Sequence, residues 1–236
     1  MLRAALFDLD DTLFDHWRGT QLALAAVRER EPAFAVWSVE ELETRHRVVL
    51  EEWHQLVLHG LASIDAARIG RFAELLAAAG ADRAEERAVD VATIYRSQYA
   101  TSWHPVAGAR ELLAAVKDAG LRLAIVTNNV IVEQELKLRH CGLDVYVDAL
   151  VTSEEVGAQK PDPAMFDAAL GRLDVDRSEA VMLGDAWHAD VAGALAAGVR
   201  PVWFNRFGAA SPDASVTELA SLEPTEHALR VLRAER

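Results

Sequence analysis

The sequence of 236 residues predicts an α/β fold, in which a parallel β-sheet carries helices on both faces, and a further domain made of helices alone. Two observations support this fold class. Short apolar runs that end at polar residues recur along the chain, and helical patterns lie between the later ones. By contrast, residues 16–99 show helical patterns with little strand signal between them.

The apolar runs lack clean alternation, which is typical of strands buried on both faces of a parallel sheet. They are AALF (4–7), LRLAIV (121–126), ALV (149–151), AVMLG (180–184) and PVWF (201–204). Helical patterns are found at residues 109–120, 132–142, 163–173 and 189–198. This alternation predicts a Rossmann-like sheet with helices on both faces.

The helical block divides the α/β part of the chain in two. We expect an α/β core from residues 1–15 and 100–236, and an inserted helical domain from residues 16–99. The segment WHPVAG (103–108) is the expected return linker, because Pro105 and Gly108 interrupt regular structure there.

Composition narrows the class of partner. The net charge of −13, from 37 acidic and 24 basic residues, argues against nucleic acid or an anionic membrane surface as the main partner. A small anionic substrate stays possible, because a local cation can override the global field. Cys141 is the only cysteine, so neither a disulfide nor a thiolate metal site is expected. The sequence has neither a signal peptide nor a long apolar run, so we expect a cytoplasmic protein, and its oligomeric state is left open.

Polar side chains follow several of the expected strands. Asp8 and Asp10 follow the first run, Thr127 and Asn128 the second, and Asp185 follows AVMLG. Ligands of open parallel sheets bind at the carboxyl ends of the strands. Burying several carboxylates together costs free energy unless a cation or hydrogen bonds compensate. Either ALFDLDDTLFD (4–14) contains a solvated turn, or a positive group binds there.

The segments DLDDT, VTNN, KPDP and GDAWHAD occur in this order and resemble the four motifs of the haloacid dehalogenase superfamily, in its phosphatase branch. The resemblance covers residues 1–205. It implies a Mg²⁺-dependent phosphomonoester hydrolase that forms an aspartyl-phosphate. The implied substrate is a small soluble metabolite, such as a nucleoside monophosphate, phosphoglycolate or a sugar phosphate.

The resemblance gives four residues catalytic roles. It makes Asp8 the nucleophile, and a carboxylate suits this role because it is already ionised at neutral pH. Asp10 becomes the acid that protonates the leaving alcohol and then the base that activates water. Thr127 and Lys160 would bind the phosphate together with Asn128, and Lys160 would also neutralise the nucleophile. The simpler interpretations are turn carboxylates at positions 8 and 10, a helix N-cap at Thr127 and a surface lysine at position 160.

The expected metal ligands are Asp8, the Asp10 carbonyl and Asp185, all of which offer the oxygen atoms that Mg²⁺ prefers. Asp190 would not bind the metal directly but would hold a metal-bound water or Lys160. Alternatively, it would cap the helix that follows it. We interpret Trp187 and His188 as loop packing or solvent-facing residues. Asp11 receives no chemical role.

An insert between the first and second motifs corresponds to the helical cap of one class of this superfamily. Such caps close over the site and contribute substrate contacts. The candidate contacts are His16, Trp17, Arg45, His46, Trp53, Arg68 and Arg71, although side chains of these types on amphipathic helices are more often core or surface residues than substrate contacts.

Other functions remain open at this point. A phosphomutase of the same superfamily would pass the phosphoryl group to another hydroxyl. A 2-haloacid dehalogenase is disfavoured, because members that do not cleave phosphate esters commonly lack an aspartate at position 10. The chain could also be a catalytically silent binding module that has kept the fold.

Overall fold

A computed structural model describes residues 1–234 of the chain. It contains two compact units. The sheet unit comprises Met1–Asp15 and the chain from His104 onward, and the helical unit comprises His16–Trp103. Residues 100–103, which we expected in the α/β core, belong to the helical unit because its last helix continues to Thr101.

The described residues of the sheet unit form one six-stranded sheet whose neighbouring strands are all parallel. The strands are β1 (Ala4–Phe7), β2 (Arg122–Thr127), β3 (Ala149–Thr152), β4 (Ala180–Gly184), β5 (Arg200–Phe204) and β6 (Thr217–Leu219). Their order is β3-β2-β1-β4-β5-β6, which confirms the predicted parallel α/β fold. Five strands match the apolar runs, whereas β6 was not predicted.

The helical unit is built from long helices, and two of them begin at side-chain caps. The long helices are α1 (His16–Arg30), α2 (Val39–Leu58), α3 (Ile64–Ala78) and α4 (Ala84–Thr101). Ser38 and Glu41 form a capping box at the start of α2, and the Ser63 side chain accepts a hydrogen bond at the start of α3. A short 3₁₀ turn, Pro32–Val36, follows α1.

The helices of the sheet unit lie between its strands in the chain, except for the last one, which follows β6. They are α5 (Ala109–Asp118), α6 (Ile131–Cys141), α7 (Ser153–Val156), α8 (Pro163–Leu173), α9 (Gly193–Ala196) and α10 (Thr225–Arg233). The expected helix at 189–198 is instead a π-helix, Trp187–Ala192, followed by α9. Short 3₁₀ turns occupy Asp144–Tyr146 and Arg177–Glu179.

The central strand of the sheet is buried on both faces. Ala4 and Leu6 pack in a cluster with Met165 and other residues of α8. Ala5 and Phe7 point to the opposite face and are fully buried as well. This two-sided burial explains why the strand runs read as continuous apolar segments. Within residues 1–234, no helix is both long enough and apolar enough to cross a membrane.

Candidate active site

The polar residues that follow the strands meet at one edge of the sheet. Asp8 follows β1 and Asp185 follows β4, its hydrogen-bonded neighbour, while Thr127 ends β2 on the other side of β1. The strand order reverses between β1 and β4, because the chain adds β2 and β3 on one side before crossing to β4. Such a switch point, at the carboxyl ends of the strands, is the usual binding crevice of this architecture.

Lys160 joins two of these carboxylates. Its Nζ atom lies 2.6 Å from Oδ1 of Asp8 and 2.6 Å from Oδ1 of Asp190. The side chain of Lys160 is only 2% exposed, and Asp190 is fully buried. Lys160 is therefore an internal cation between two carboxylates, and it is not the surface lysine of the simpler interpretation.

Asp190 has partners for both of its oxygens. Besides the contact with Lys160, its Oδ2 accepts a hydrogen bond from the Ala186 N–H at 3.0 Å. Asp190 also packs directly against Gly184 at the end of β4, where an added Cβ atom would lie 2.3 Å from the carboxyl carbon. The glycine before Asp185 therefore makes room for Asp190. The residue lies inside the π-helix and does not cap it, so the helix-cap interpretation is wrong.

Asp185 is held by two residues that the sequence analysis did not select. The Thr12 hydroxyl donates to Oδ1 of Asp185 at 3.0 Å and accepts from the Asp185 N–H at 3.1 Å. The indole N–H of Trp203 donates to the Asp185 carbonyl at 2.9 Å. Trp187 packs edge-on against Trp203, so it supports this loop as expected, and His188 is exposed.

The clustered carboxylates perturb one another. Burial raises the pKa of Asp8 to about 7, with Lys160 opposing the shift and Asp190 adding to it. Burial also raises the pKa of Asp185 to about 8, and the nearby Asp8 and Asp190 carboxylates add to the effect. Burial would lower the pKa of Lys160, but Asp190 and Asp8 outweigh it and raise that pKa above its ordinary value. The site holds more negative charge than Lys160 can offset.

The same carboxylates suit a divalent cation. One ligand oxygen from each of Asp8, Asp185 and Asp190 can be chosen so that all lie within 4.8 Å of one another. Oxygens on opposite sides of an octahedral Mg²⁺ lie about 4 Å apart, so this spacing fits the ion. With all carboxylates ionised, the three aspartates and Lys160 carry two net negative charges, which one divalent cation would offset.

Asp10 lies in a second cluster, built from α6. Its Oδ1 atom is 2.5 Å from Nζ of Lys137, and its Oδ2 accepts from Nε2 of Gln134 at 2.9 Å. The Asn129 amide also approaches Oδ2, at 3.4 Å. The sequence analysis missed Gln134 and Lys137. The signal for them was two polar residues at positions i and i+3 on the otherwise apolar buried face of α6, which also carries Leu138 and Cys141.

Thr127 and Asn128 have different surroundings. The Thr127 hydroxyl oxygen accepts from Nε2 of Gln134 at 2.7 Å, and the side chain does not cap α6, whose N-cap is Val130. The Asn128 side chain donates to the Lys160 carbonyl at 2.9 Å and accepts from the Lys160 N–H at 2.6 Å. Asn128 therefore holds the backbone of Lys160. Its predicted phosphate contact stays a prediction that concerns its backbone N–H.

Asp11 forms an ion pair with Arg206, and its charge contributes to the raised pKa of Asp185. Arg206 contacts Asp11 at 2.6 Å and Asp15 at 2.9 Å. Asp11 has φ of 65°, the left-handed region that glycine, asparagine and aspartate tolerate best. Backbone conformation and this ion pair account for the residue without a chemical role.

His46, one of the candidate substrate contacts, lies in the core of the helical unit. The residue is fully buried, with ring centroids 5.1 Å from Tyr95 and 5.7 Å from Phe72. Neither ring nitrogen has a hydrogen-bond partner among the described residues. Burial, followed by Arg71 and His16, lowers the pKa of His46 well below its ordinary value. We therefore assign His46 to the core rather than to substrate contact.

The other candidates in the helical unit each contact a neighbour within that unit. The pairs are His16 with Tyr99, Trp17 with Glu43, Arg45 with Trp37, Trp53 with Glu74, Arg68 with Asp65, and Arg71 with Tyr95. Their roles toward a substrate stay predictions.

Comparison with known proteins agrees with the chemistry of this site. The family model of the haloacid dehalogenase-like hydrolases matches residues 2–198. The chain is 34% identical to the ribulose-1,5-bisphosphate 5-phosphatase of Halopiger xanaduensis, over 96% of this chain and 92% of that protein. It is 33% identical to the phosphoserine phosphatase of Thermus thermophilus, over 92% of this chain and 96% of that protein.

A solved structure of a hydrolase of this family is also similar to this chain. The HAD-hydrolase YfnB from Bacillus subtilis, bound to magnesium, aligns with a TM-score of 0.77 and 25% identity, over 97% of this chain and 99% of that one. The fold and the site define a hydrolase of the α/β class. The chain belongs to the haloacid dehalogenase-like hydrolases, which confirms the predicted membership of the phosphatase branch.

Proposed function

We propose that the protein is a Mg²⁺-dependent phosphatase that hydrolyses phosphate monoesters of small metabolites through an aspartyl-phosphate on Asp8. The observation that carries this proposal is the buried contact of Asp8 with Lys160, beside Asp185 and Asp190. A carboxylate nucleophile, a fixed cation and two further carboxylates together offer what phosphoryl transfer requires.

The first half of the proposed reaction uses both aspartates of the DLD segment. A carboxylate oxygen of Asp8 attacks phosphorus, and the bond between phosphorus and the alcohol oxygen breaks. Asp10 gives its proton to that departing oxygen, which leaves as the alcohol. Lys160 and the Thr127 hydroxyl stabilise the phosphoryl oxygens as negative charge develops on them.

The second half regenerates the enzyme. Asp10, now a carboxylate, takes a proton from a water molecule as that water attacks the phosphorus of the aspartyl-phosphate. The bond between phosphorus and the Asp8 oxygen breaks, and inorganic phosphate leaves. Asp8 and Asp185 would hold Mg²⁺ together with the Asp10 carbonyl, and the bound ion would offset the negative charge of the carboxylates and the phosphate. Asp190 would keep Lys160 in place.

The relatives indicate the class of substrate. The two curated relatives named above are phosphatases for a sugar bisphosphate and for a phosphorylated amino acid. We therefore extend the substrate candidates from nucleoside monophosphates, phosphoglycolate and sugar phosphates to phosphoserine.

Phosphate release from a panel of these esters, with Mg²⁺ or with a chelator, tests the proposal. We expect turnover with Mg²⁺, none with the chelator, and none in Asp8→Asn. Asp174→Asn is the matched control, because Asp174 is 94% exposed. Turnover that persists in Asp8→Asn would contradict the proposal. Transfer of the phosphoryl group to a second hydroxyl without phosphate release would identify a mutase instead.

A further inference from the structure

Helix α6 directs two polar side chains at the general acid of the proposed reaction. Lys137 Nζ lies 2.5 Å from one oxygen of Asp10, and Gln134 Nε2 lies 2.9 Å from the other. Residues three positions apart lie on the same face of a helix, so one rigid element holds both oxygens of the carboxylate. Two contacts to the two oxygens restrict rotation about both side-chain bonds of Asp10.

The side chains of Gln134 and Lys137 are both buried, although lysine and glutamine are mostly surface residues. Gln134 is fully buried and the Lys137 side chain is 5% exposed, whereas the Asp10 side chain is 26% exposed. The ammonium of Lys137 also lies 5.1 Å from the centroid of the Phe14 ring. Buried lysine and glutamine need partners, and Asp10 supplies one to each of them. The two donors are thus buried, while the carboxylate that they contact is partly exposed.

Gln134 also contacts the residue expected to bind phosphate. Its Nε2 atom donates to Oγ1 of Thr127 at 2.7 Å, besides donating to Asp10. Because the Thr127 oxygen accepts this bond, the hydroxyl proton points away from Gln134. The amide orientation follows from the same contacts, since its oxygen would otherwise face the Asp10 carboxylate. One amide group therefore sets the direction of both the acid and the hydroxyl.

We propose that Gln134 and Lys137 are positioning residues, which hold the Asp10 carboxylate and the Thr127 hydroxyl in the arrangement that the reaction needs. This inference rests on the proposed function. Misplacing a catalytic group by about 1 Å can reduce a rate about 100-fold, so a clamp of this kind has a measurable effect.

The test compares two esters that differ in their need for an acid. Phenyl phosphate requires protonation of its leaving oxygen more than p-nitrophenyl phosphate does, because the nitrophenolate is the more stable anion. The first turnover is followed by the release of the phenol, in the presence of Mg²⁺. In Gln134→Leu and Lys137→Met we expect the rate with phenyl phosphate to fall about 10- to 100-fold and that with p-nitrophenyl phosphate to fall about 10 times less.

Three further variants make the result specific. Lys137→Arg keeps the cation and should restore most of the rate with phenyl phosphate. Gln134→Asn keeps the amide on a shorter side chain and should recover little, because it cannot span the same distances. Arg139→Gln, on the exposed face of the same helix, removes an equal charge and should leave both rates unchanged. Thermal melting checks that each variant is folded.

Each failure has its own signature. Wild-type protein that releases neither phenol, and no phosphate from the metabolite panel, would overturn the proposed function. An equal loss with both esters, or no loss with either, would overturn only the positioning role. Crystal structures of Gln134→Leu and Lys137→Met add a readout independent of turnover, since an unmoved Asp10 side chain would also overturn that role. Should Lys137→Met fail to fold, Gln134→Leu and Lys137→Arg still decide the outcome.

Discussion

The surroundings of Asp8 and Asp10 differ, although only one residue separates the two aspartates. Asp8 shares Lys160 with Asp190 and lies near Asp185, so its cluster keeps an excess of negative charge. Asp10 has Lys137 beside it and two amides around it, so its charge is balanced by the protein alone. The difference teaches that the cluster around the proposed nucleophile has negative charge left for a further cation to offset, whereas Lys137 already balances the charge of the proposed acid.

The largest expected effect is on kcat, and it should differ between variants of Asp8 and Asp10 because we propose that the two residues act in different steps. Asp8→Asn should lower kcat about 10⁴-fold or more and form no phosphoenzyme, because an amide is a poor nucleophile. Asp10→Asn should lower kcat about 10²- to 10⁴-fold. With p-nitrophenyl phosphate it should still form the phosphoenzyme and accumulate it, because hydrolysis lacks its base. Acid quenching with ³²P-labelled substrate measures the difference, and equal phosphoenzyme levels in the two variants would contradict it.

The second effect concerns stability. Lys160→Met leaves the buried Asp8 and Asp190 without their cation, and we expect the free energy of unfolding at pH 8 to fall by about 3–5 kcal/mol. Lys137→Met removes the cation beside a single carboxylate, Asp10, which is partly exposed, and should cost about 1–2 kcal/mol. Urea denaturation of the metal-free proteins measures both values. A larger loss of unfolding free energy in Lys137→Met than in Lys160→Met would contradict the difference between the two clusters.

A third effect links pH to the metal. The raised pKa values of Asp8, about 7, and Asp185, about 8, mean that the folded protein keeps protons that the unfolded chain releases near pH 4. Stability from these groups is fully present below about pH 4 and is lost as pH rises through 7 to 8. Mg²⁺ competes with those protons, so the rise in Tm that it causes should grow between pH 5.5 and 8.

Calorimetry with and without Mg²⁺ across this range measures the third effect. Asp185→Asn is the control, since it removes one of the titrating groups and should flatten the dependence. A rise in Tm that is the same at pH 5.5 and 8 would show that protons and the ion do not share these carboxylates.

The smallest effect is expected in the helical unit, where the buried ring of His46 has no hydrogen-bond partner within residues 1–234, unlike the two aspartates. Its lowered pKa means that acid destabilises the fold, since stability is lost as pH falls below the unfolded value of about 6.5. His46→Leu should raise the free energy of unfolding by about 1 kcal/mol at pH 7 and by more at pH 5. The exposed His59, changed to Leu, is the control in urea denaturation. A loss of stability at both pH values would show that His46 has a partner.

The strands and long helices could be predicted because the local pattern of apolar and polar residues indicates which segments are buried. β1, β4 and α8 have the predicted bounds, since each begins or ends at polar, proline or glycine residues. β6 escaped prediction because two of its three residues are exposed and carry no apolar signal. The π-helix escaped prediction because it depends on contacts of Asp190 with Lys160 and with the Ala186 N–H, which only the folded structure reveals.

The site could be predicted in part for a similar reason. Asp8, Thr127 and Asp185 could be selected because they lie at the ends of strands that meet at one edge of any parallel sheet, whereas Lys160 and Asp190 were selected through the family resemblance. Gln134 and Lys137 could not, because their partner Asp10 lies more than a hundred residues away in the chain. Thr12 is adjacent to the first motif, yet its contact with Asp185 depends on the pairing of β1 with β4.

The close approach of Asp190 to Gly184 has a consequence for how this sequence can vary over evolution. Position 184 belongs to no predicted set of ligands, yet any side chain there would meet the Asp190 carboxyl group. An alanine would push Asp190 from Lys160 and release the lysine from its place beside Asp8. Selection on the proposed nucleophile would therefore extend to Gly184, which has no proposed catalytic role, because the space at this end of β4 has no room for a side chain.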